Sequence, residues 1–386
     1  MRKLKDFDLS NKKVFLRVDL NVPVQNGKIL DETRINKIIP TINYLLENNA
    51  RIVIASHFGR PKQGFEAKYS LEFLASVLAD KLKKEVIFCE NLEKANQALQ
   101  TNKIILLENL RFHPGETSND SNFAKELASI ADFYVNDAFS CSHRAHASIT
   151  KITEFLPSAA GLLLEEELDN LNRILSQPKK PLMAIIGGSK ISTKLNLLNN
   201  LITKVDYLVI AGAMANSFLK AEGHEIGTSF YEPELLETAK TILSNKNCNI
   251  ILPSDVVVAA KITSFEKNYI VDIKNTPSDK MILDIGPDTC TKIIELLKKC
   301  ETVIINGPLG VFENFPFSCG TISIVRAIAK YTNSGELVSV AGGGDIVAAI
   351  SNSGLFNQFS YISTAGGAFL EWLEGKTLPG IEVLGS

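Results

Sequence analysis

The sequence predicts an α/β fold of two doubly wound parallel-sheet lobes joined by a hinge helix, and three observations carry that prediction. Short apolar runs rich in β-branched residues recur along the chain, separated by stretches long enough for crossover helices, as in parallel sheets covered on both faces. The 386 residues exceed what one hydrophobic core sustains, so two domains of about 150–200 residues are expected. Between the two sets of strands lies an acidic helical stretch, 161–175, closed by Ser176-Gln177-Pro178-Lys179-Lys180-Pro181, where two prolines within four residues cannot continue a helix.

Taken in order, the first lobe has strands at 14–19, 51–57, 86–90, 103–109 and 133–137, with an amphipathic helix over 71–84 (Leu71, Leu74, Ala75, Leu78, Leu82). The second has strands at 181–187, 207–212, 249–254, 302–306, 337–341 and 361–364, with a helix over 191–203. The lobes are therefore expected at 1–170 and 176–370, with the hinge at 161–181. In open sheets of this kind ligands sit beyond the carboxyl ends of the strands, so the polar residues just after each strand become the candidates.

An apolar fraction of 45% suffices for two cores, and a net charge of −2 argues against a nucleic-acid coat or a membrane-surface protein. Any basic site must then be local. The cysteines, at 89, 141, 248, 290, 300 and 319, form no CxxC pair and no metal-ligand spacing, which suits structural, reduced thiols in a cytoplasmic protein. The amino terminus, Met1-Arg2-Lys3-Leu4-Lys5-Asp6-Phe7-Asp8, has no long apolar region behind its charges, and no run of ~18 apolar residues occurs. The expectation is a chain that is neither secreted nor membrane-spanning.

Eight of the nine arginines lie in the first half, and Arg326 alone lies in the second. Four first-lobe strands run into Arg17-Val18-Asp19-Leu20-Asn21, Ser56-His57-Phe58-Gly59-Arg60-Pro61, Glu108-Asn109-Leu110-Arg111 and Asn136-Asp137-Ala138-Phe139-Ser140-Cys141-Ser142-His143-Arg144-Ala145-His146, and Arg34 follows the Gly27 turn. Arg34, Arg60, Arg111, Arg144 and His57 thus fall at one rim, where guanidinium forks could bind a compact polyanion such as a phosphorylated carboxylic acid. One such arginine would be an ordinary surface residue; four coincident placements argue for a site. Arg17, at the other parity of its strand, reads as structural, and His143 and His146 lack the carboxylate pattern of a metal site.

The second lobe keeps glycines where the first keeps arginines. Gly187-Gly188-Ser189-Lys190-Ile191-Ser192-Thr193-Lys194 follows a strand and is expected to open a helix, with Lys190 and Lys194 one turn apart on a shared face for a polyphosphate. It is no Walker A loop, and Gly375-Lys376-Thr377 is not one either, because position 370 is Leu. Asn306-Gly307-Pro308-Leu309-Gly310-Val311-Phe312-Glu313 and Gly342-Gly343-Gly344-Asp345 also stand at strand ends. Asp345 could reach a phosphate-bound Mg²⁺ or only cap its helix, and Glu313 could meet ribose hydroxyls or face water.

In this order, RVDLNVP, SHFGRP, ENLRF, NDAF with HRAHAS, GGSKISTK, LPSDVVVA, DIGP, NGPLGVFE, GGGD and EGKTLPG resemble the phosphoglycerate kinases from Arg17 to Gly380. The resemblance implies reversible phosphoryl transfer between 1,3-bisphosphoglycerate and MgADP, giving 3-phosphoglycerate and MgATP, in a cytoplasmic, monomeric, hinge-bending enzyme with its active site in the interlobe cleft. It assigns Asp19, Asn21, Arg34, His57, Arg60, Arg111 and Arg144 to the glycerate, and Gly188, Lys190, Lys194, Gly212, Leu283, Asn306, Glu313, Gly343, Gly344 and Asp345 to the nucleotide and Mg²⁺. Arg34, Lys190 and Lys194 would be catalytic. Residues 371–386 would return to the first lobe.

Several positions depart from the family pattern: Thr193, Ile305, Ile346, Glu166, Ala211-Gly212-Ala213, and Ser363 to Phe369 in place of STGGGAS. Most fall on the nucleotide side, which leaves open weaker nucleotide affinity or another nucleoside diphosphate. Ile346 in particular lacks a hydroxyl that could bond phosphate or cap a helix. The alternatives are a protein of this fold that binds both ligands without turnover, and a kinase for a simpler acid such as acetate, for which four arginines are excessive.

Overall fold

The computed structural model describes residues 1–385 except 63, 176, 177 and 364. The chain forms two compact units, Met1–Asp169 with Thr377–Ser386, and Asn170–Lys376.

The first unit begins with β1 (Lys13–Val18), a small hairpin of β2 (Val24–Gln25) and β3 (Lys28–Ile29), and β4 (Arg51–Ala55). It continues with β5 (Ile87–Cys89), β6 (Ile104–Leu107), β7 (Phe133–Asp137) and β8 (Ser158–Ala160). Its six-stranded sheet is parallel throughout, in the order β5-β6-β4-β1-β7-β8. Val14, Leu16 and Val18 of β1 face a core with Ile52, Ile54, Ile104, Leu106 and Val135. Both faces of the sheet are covered, so the central strands read as unbroken apolar runs rather than alternating ones. Edge strand β8, Ser-Ala-Ala, has no β-branched residue and gave no strand signal.

The second unit repeats the plan with β9 (Leu182–Ile186), β10 (Tyr207–Ile210) and β11 (Asn249–Ile251), and then departs from it in β12 (Asp255–Ala259), β13 (Asn268–Asp272) and β14 (Met281–Ile285). It resumes with β15 (Thr302–Asn306), β16 (Val338–Gly342) and β17 (Tyr361–Ser363). The parallel sheet runs β11-β10-β9-β15-β16-β17, and β13-β12-β14 form a separate antiparallel sheet absent from the sequence expectation.

The unit boundary falls inside the helix Leu162–Leu175, between Asp169 and Asn170. The start of that helix is tied to the first unit: Leu162 N–H donates to Thr41 Oγ1 at 3.1 Å, Lys3 Nζ lies 2.5 Å from Glu165, and Leu164 is buried. Ser176 and Gln177 of the expected hinge lie outside the described residues.

At the carboxyl end, residues 371–376 sit in the second unit, not the first as expected. Asn200 Nδ2 donates to Leu373 O at 2.5 Å, holding the helix Gly367–Leu373 to the helix Leu195–Leu201. From Thr377 on, the chain belongs to the first unit, where Asn136 Nδ2 donates to Gly380 O at 3.1 Å and Arg2 N–H to Leu384 O at 2.9 Å.

In both parallel sheets the first strand lies inside and the strand order reverses beside it: β1 between β4 and β7, β9 between β10 and β15. The crevices beyond those carboxyl ends are where ligands of doubly wound sheets bind.

Candidate active site

The four arginine-bearing segments of the first unit converge because the strands they follow, β6, β4, β1 and β7, are consecutive neighbours. Their loops are stitched side by side. Arg34 Nη1 lies 2.7 Å from Asp19 Oδ2 and donates to Asn21 O at 2.9 Å. Asn21 Oδ1 accepts from Gly59 N–H at 2.8 Å, and Arg111 Nη1 donates to Gly59 O at 2.5 Å. Asn109 is buried among them, accepting from Phe58 N–H and donating to Phe58 O and Tyr69 O at 2.7 and 2.9 Å. Backbone groups that loops would leave to water are satisfied here by side chains, which fixes the rim.

Over this frame opens a cavity of about 630 Å³ lined by Arg60, Lys62, Arg111, His113, Arg144 and His146 among others, with no carboxylate among the described residues of its lining. Arg111 is held below its ordinary range by burial and by the like charge of Arg144, yet a guanidinium stays protonated under any physiological condition. Burial, together with Arg17, Arg111 and Arg144, lowers His146 to about 4, so its imidazole is neutral. Uncompensated like charges around a void of this size mark an anion site.

Not every first-lobe candidate lines that cavity. Arg34, Asp19 and Asn21 form the adjoining network, and His57 is buried at 5% exposure, its Nδ1 3.7 Å from Cys141 Sγ and 3.5 Å from Arg17 Nη2. Burial drives the His57 imidazole well below its usual range against the attraction of Asp19. Burial also opposes charge on Asp19, but His57, Arg34 and a hydrogen bond from Ser140 outweigh it and keep the carboxyl below its usual range.

Asp19, His57 and Cys141 bring ligand atoms within 4.8 Å of one another, as a metal centre would. Guanidinium groups of Arg34 and Arg17 already face Asp19 and His57, so a further cation there would meet two fixed positive charges. Arg17 itself is structural: fully buried, it donates to Ser148 Oγ at 2.8 Å and lies 3.9 Å from buried Glu116. His143 accepts from Arg144 Nε at 3.0 Å and His146 lies 3.8 Å from Glu116; the described residues around them form no metal-ligand cluster.

The second unit carries a different kind of pocket, about 430 Å³, at the carboxyl ends of β9, β10 and β15. Gly188, Gly212, Leu283, Glu313 and Asp345 line it, as the sequence reading expects of nucleotide-contacting residues. Its floor is two glycine-bearing loops in close approach: a Cβ on Gly187 would stand 1.9 Å from Pro308 O. Apolar side chains from Phe230, Met281, Ile282, Pro308 and Val311 make a wall suited to a flat ring, and β14 supplies part of it.

Lys194 Nζ donates to Asn306 Oδ1, and Asn306 Nδ2 donates to Gly342 O, linking the loops after β9, β15 and β16. Burial lowers the Lys194 ammonium, which Asp345 and Glu374 partly restore. Gly343, at φ +107°, stands where a Cβ would meet Asn306 Nδ2 at 2.7 Å, and it caps the helix Gly344–Asn352. Asp345 lies in the first turn of that helix and lines the pocket; it does not cap the helix.

Two expectations are corrected here. The helix after GGSK begins only at Leu195, and the N–H groups of Ile191 and Ser192 go to the Glu232 carboxylate at 2.5 and 3.2 Å. Lys190 therefore stands in the loop before the helix and Lys194 at its N-cap position, not one turn apart on a shared helix face as expected. Ile346 is fully buried in the second core, so that departure is a packing residue rather than a lost ligand. Ile305 and Phe369 are likewise fully buried, the Phe369 ring filling the space beside Gly342, where a Cβ would come within 2.4 Å of it. Thr193 Oγ1 donates to Lys190 O at 2.9 Å. Thr364 of the 363–369 stretch lies outside the described residues.

Sequence reasoning missed Lys62, His113, Phe230 and Glu232. Lys62 follows the strand-end Gly-Arg-Pro directly and could have been found there. Phe230 and Glu232 lie in a loop after no strand, with no local signal.

Two parallel α/β units, one with an arginine-lined cavity and one with a glycine-floored pocket walled for a flat ring and with Lys194 in the adjoining loop network, fit a phosphoryl-transfer enzyme. The family model described as Phosphoglycerate kinase matches residues 4–376. Phosphoglycerate kinase of Methylorubrum extorquens (strain PA1) is 49% identical over 384 aligned residues, covering 97% of this chain and 96% of the relative. That of Orientia tsutsugamushi (strain Ikeda) is 50% identical, covering 100% of this chain and 97% of the relative. The solved phosphoglycerate kinase structure from Coxiella burnetii matches with a TM-score of 0.92 at 43% identity, over 99% of this chain and 98% of that one. The chain belongs to the phosphoglycerate kinase family.

Proposed function

We propose that the chain catalyses the glycolytic transfer of the acyl phosphate of 1,3-bisphosphoglycerate to ADP, and its reverse, with the glycerate on the first unit and the nucleotide on the second. The carrying observation is the carboxylate-free cavity of Arg60, Arg111 and Arg144. Arg34, Asp19, Asn21 and His57 form the network beside it, and Gly188, Gly212, Leu283 and Glu313 hold the nucleoside end of ADP, with Lys194, Asn306, Gly343 and Gly344 at its phosphates. Asp345 is a hard carboxylate at the pocket lining, suited to Mg²⁺ that takes its other ligands from phosphate oxygens and water; the ion would add charge neutralisation when bound.

In the ATP-consuming direction the attacking group is a carboxylate with a pKa of about 3–4, ionised at neutral pH, so no general base is needed. This fits a site beside which the imidazoles of His57 and His146 are held neutral by burial and surrounding arginines. Catalysis is then positioning and charge neutralisation: Arg34 from the glycerate side, Lys190 and Lys194 from the nucleotide side. Reacting oxygen and phosphorus must come within ~3–3.5 Å, so ligands on separate units require the units to close, which also excludes water from the acyl phosphate. The enzyme works as a cytoplasmic monomer on this reading; no helix of the described residues is long and apolar enough to cross a membrane.

The test is a coupled assay of ADP with 1,3-bisphosphoglycerate, followed for ATP. Folded protein yielding ATP no faster than the uncatalysed mixture would sink the reading in favour of a binding protein.

A further inference from the structure

The loop that carries Lys190 is held by a carboxylate that the reaction does not use. Glu232, 6% exposed, accepts from Ile191 N–H at 2.5 Å, from Ser192 N–H at 3.2 Å and from the Ser192 hydroxyl at 2.5 Å. Its own segment is anchored in turn. Glu232 N–H donates to Ser217 Oγ and Asn216 Nδ2 donates to Phe230 O, each at 3.0 Å, both from the helix Ala215–Ala221 that follows β10. The Phe230 ring of that segment stands 5.8 Å from Lys190 Nζ. Glu232 thus grips the loop backbone just after Lys190, and Phe230 flanks its ammonium.

The grip has a physical reason. Ile191 is fully buried, so without Glu232 its amide would be a buried donor lacking a partner. A loop of glycines and serines has little stiffness of its own, whereas a group that neutralises a transferring phosphoryl must be placed to within a fraction of an ångström. We propose that Glu232 is a positioning residue for Lys190: by fixing the Ile191–Ser192 backbone it aims the Lys190 ammonium at the phosphoryl group in transfer. This rests on the assignment of Lys190 to transfer made above.

Glu232→Gln keeps the size of the side chain but turns an amide NH₂ toward backbone donors. The expected result is a fall in kcat of roughly 10–100-fold, with the affinity for adenosine, whose pocket Ile191 and Ser192 do not line, unchanged by calorimetry. In a Lys190→Ala background the same substitution should cost no further kcat, as expected for two residues acting through one another. An equal fractional loss in both backgrounds, a loss of adenosine affinity, or undiminished kcat in Glu232→Gln would overturn the proposal. Full activity in Lys190→Ala alone would instead overturn the role of Lys190, so the two failures are distinguishable. If Glu232→Gln does not fold, Ser192→Ala removes one of the three bonds and is read the same way: a several-fold drop in kcat that vanishes in Lys190→Ala supports the proposal, and an additive or absent effect overturns it.

Discussion

Arg34 pairs with Asp19 at 2.7 Å although it stands outside the carboxylate-free cavity, and that pairing suits a residue poised to exchange one anion for another. For Arg34→Ala the expectation is a loss of kcat of about 100-fold or more, the scale of removing one preorganised charge from a transition state, with ADP affinity by calorimetry nearly unchanged. Lost ADP binding would contradict its assignment. His146 makes a second prediction. Its folded pKa of about 4 lies below its ordinary value, so on acidification the unfolded chain takes up the proton first. Its contribution to stability is therefore whole above about pH 6.5 and declines as pH falls toward 4. Wild type should lose more of its urea midpoint than His146→Gln between pH 7.5 and 5; equal losses would refute the shift. At this scale much was legible, because strand-end arginines are visible in sequence, whereas the bonds that brace their loops, Asn109 to the Arg111 backbone and Ser140 to Asp19, are not. Ile346 was misread: a residue beside a glycine-rich motif looks like a ligand position, and only the helix phase turns it into the core.

At the scale of elements, the parallel strands were readable as apolar runs flanked by helical stretches. The second, antiparallel sheet was not, since β13 is exposed over most of its length and β12 follows β11 so closely that the two read as one region. That sheet matters to function, for β14 carries Leu283 into the pocket wall. The contact between the loops after β9 and β15 makes the sharpest prediction here. Gly187→Ala would put a methyl group 1.9 Å from Pro308 O, so the two loops must separate. We expect about 1–3 kcal/mol of destabilisation, the usual cost of overpacking, together with weaker nucleotide binding; an unchanged urea midpoint would show that the loops yield freely.

For the whole molecule, arginine divides with the chain, eight of nine lying in its first half, and in our proposal guanidinium groups hold the ligand of the first unit while glycine loops and Lys194 serve that of the second. The two-lobe division was legible from length and from the acidic helix with its proline run, but the return at Thr377 rather than 371 depends on tertiary contacts such as that of Asn200 with Leu373. If transfer requires closure, small-angle scattering should give a smaller radius of gyration with both ligands than with either alone; an unchanged profile would count against hinge bending. The division of labour itself is tested most directly by calorimetry on two variants, Arg111→Ala and Lys194→Ala, each titrated with 3-phosphoglycerate and with MgADP. The account predicts that Arg111→Ala loses the phosphoglycerate and keeps MgADP, while Lys194→Ala does the reverse; loss of both ligands by either folded variant, or of the opposite one, would contradict it.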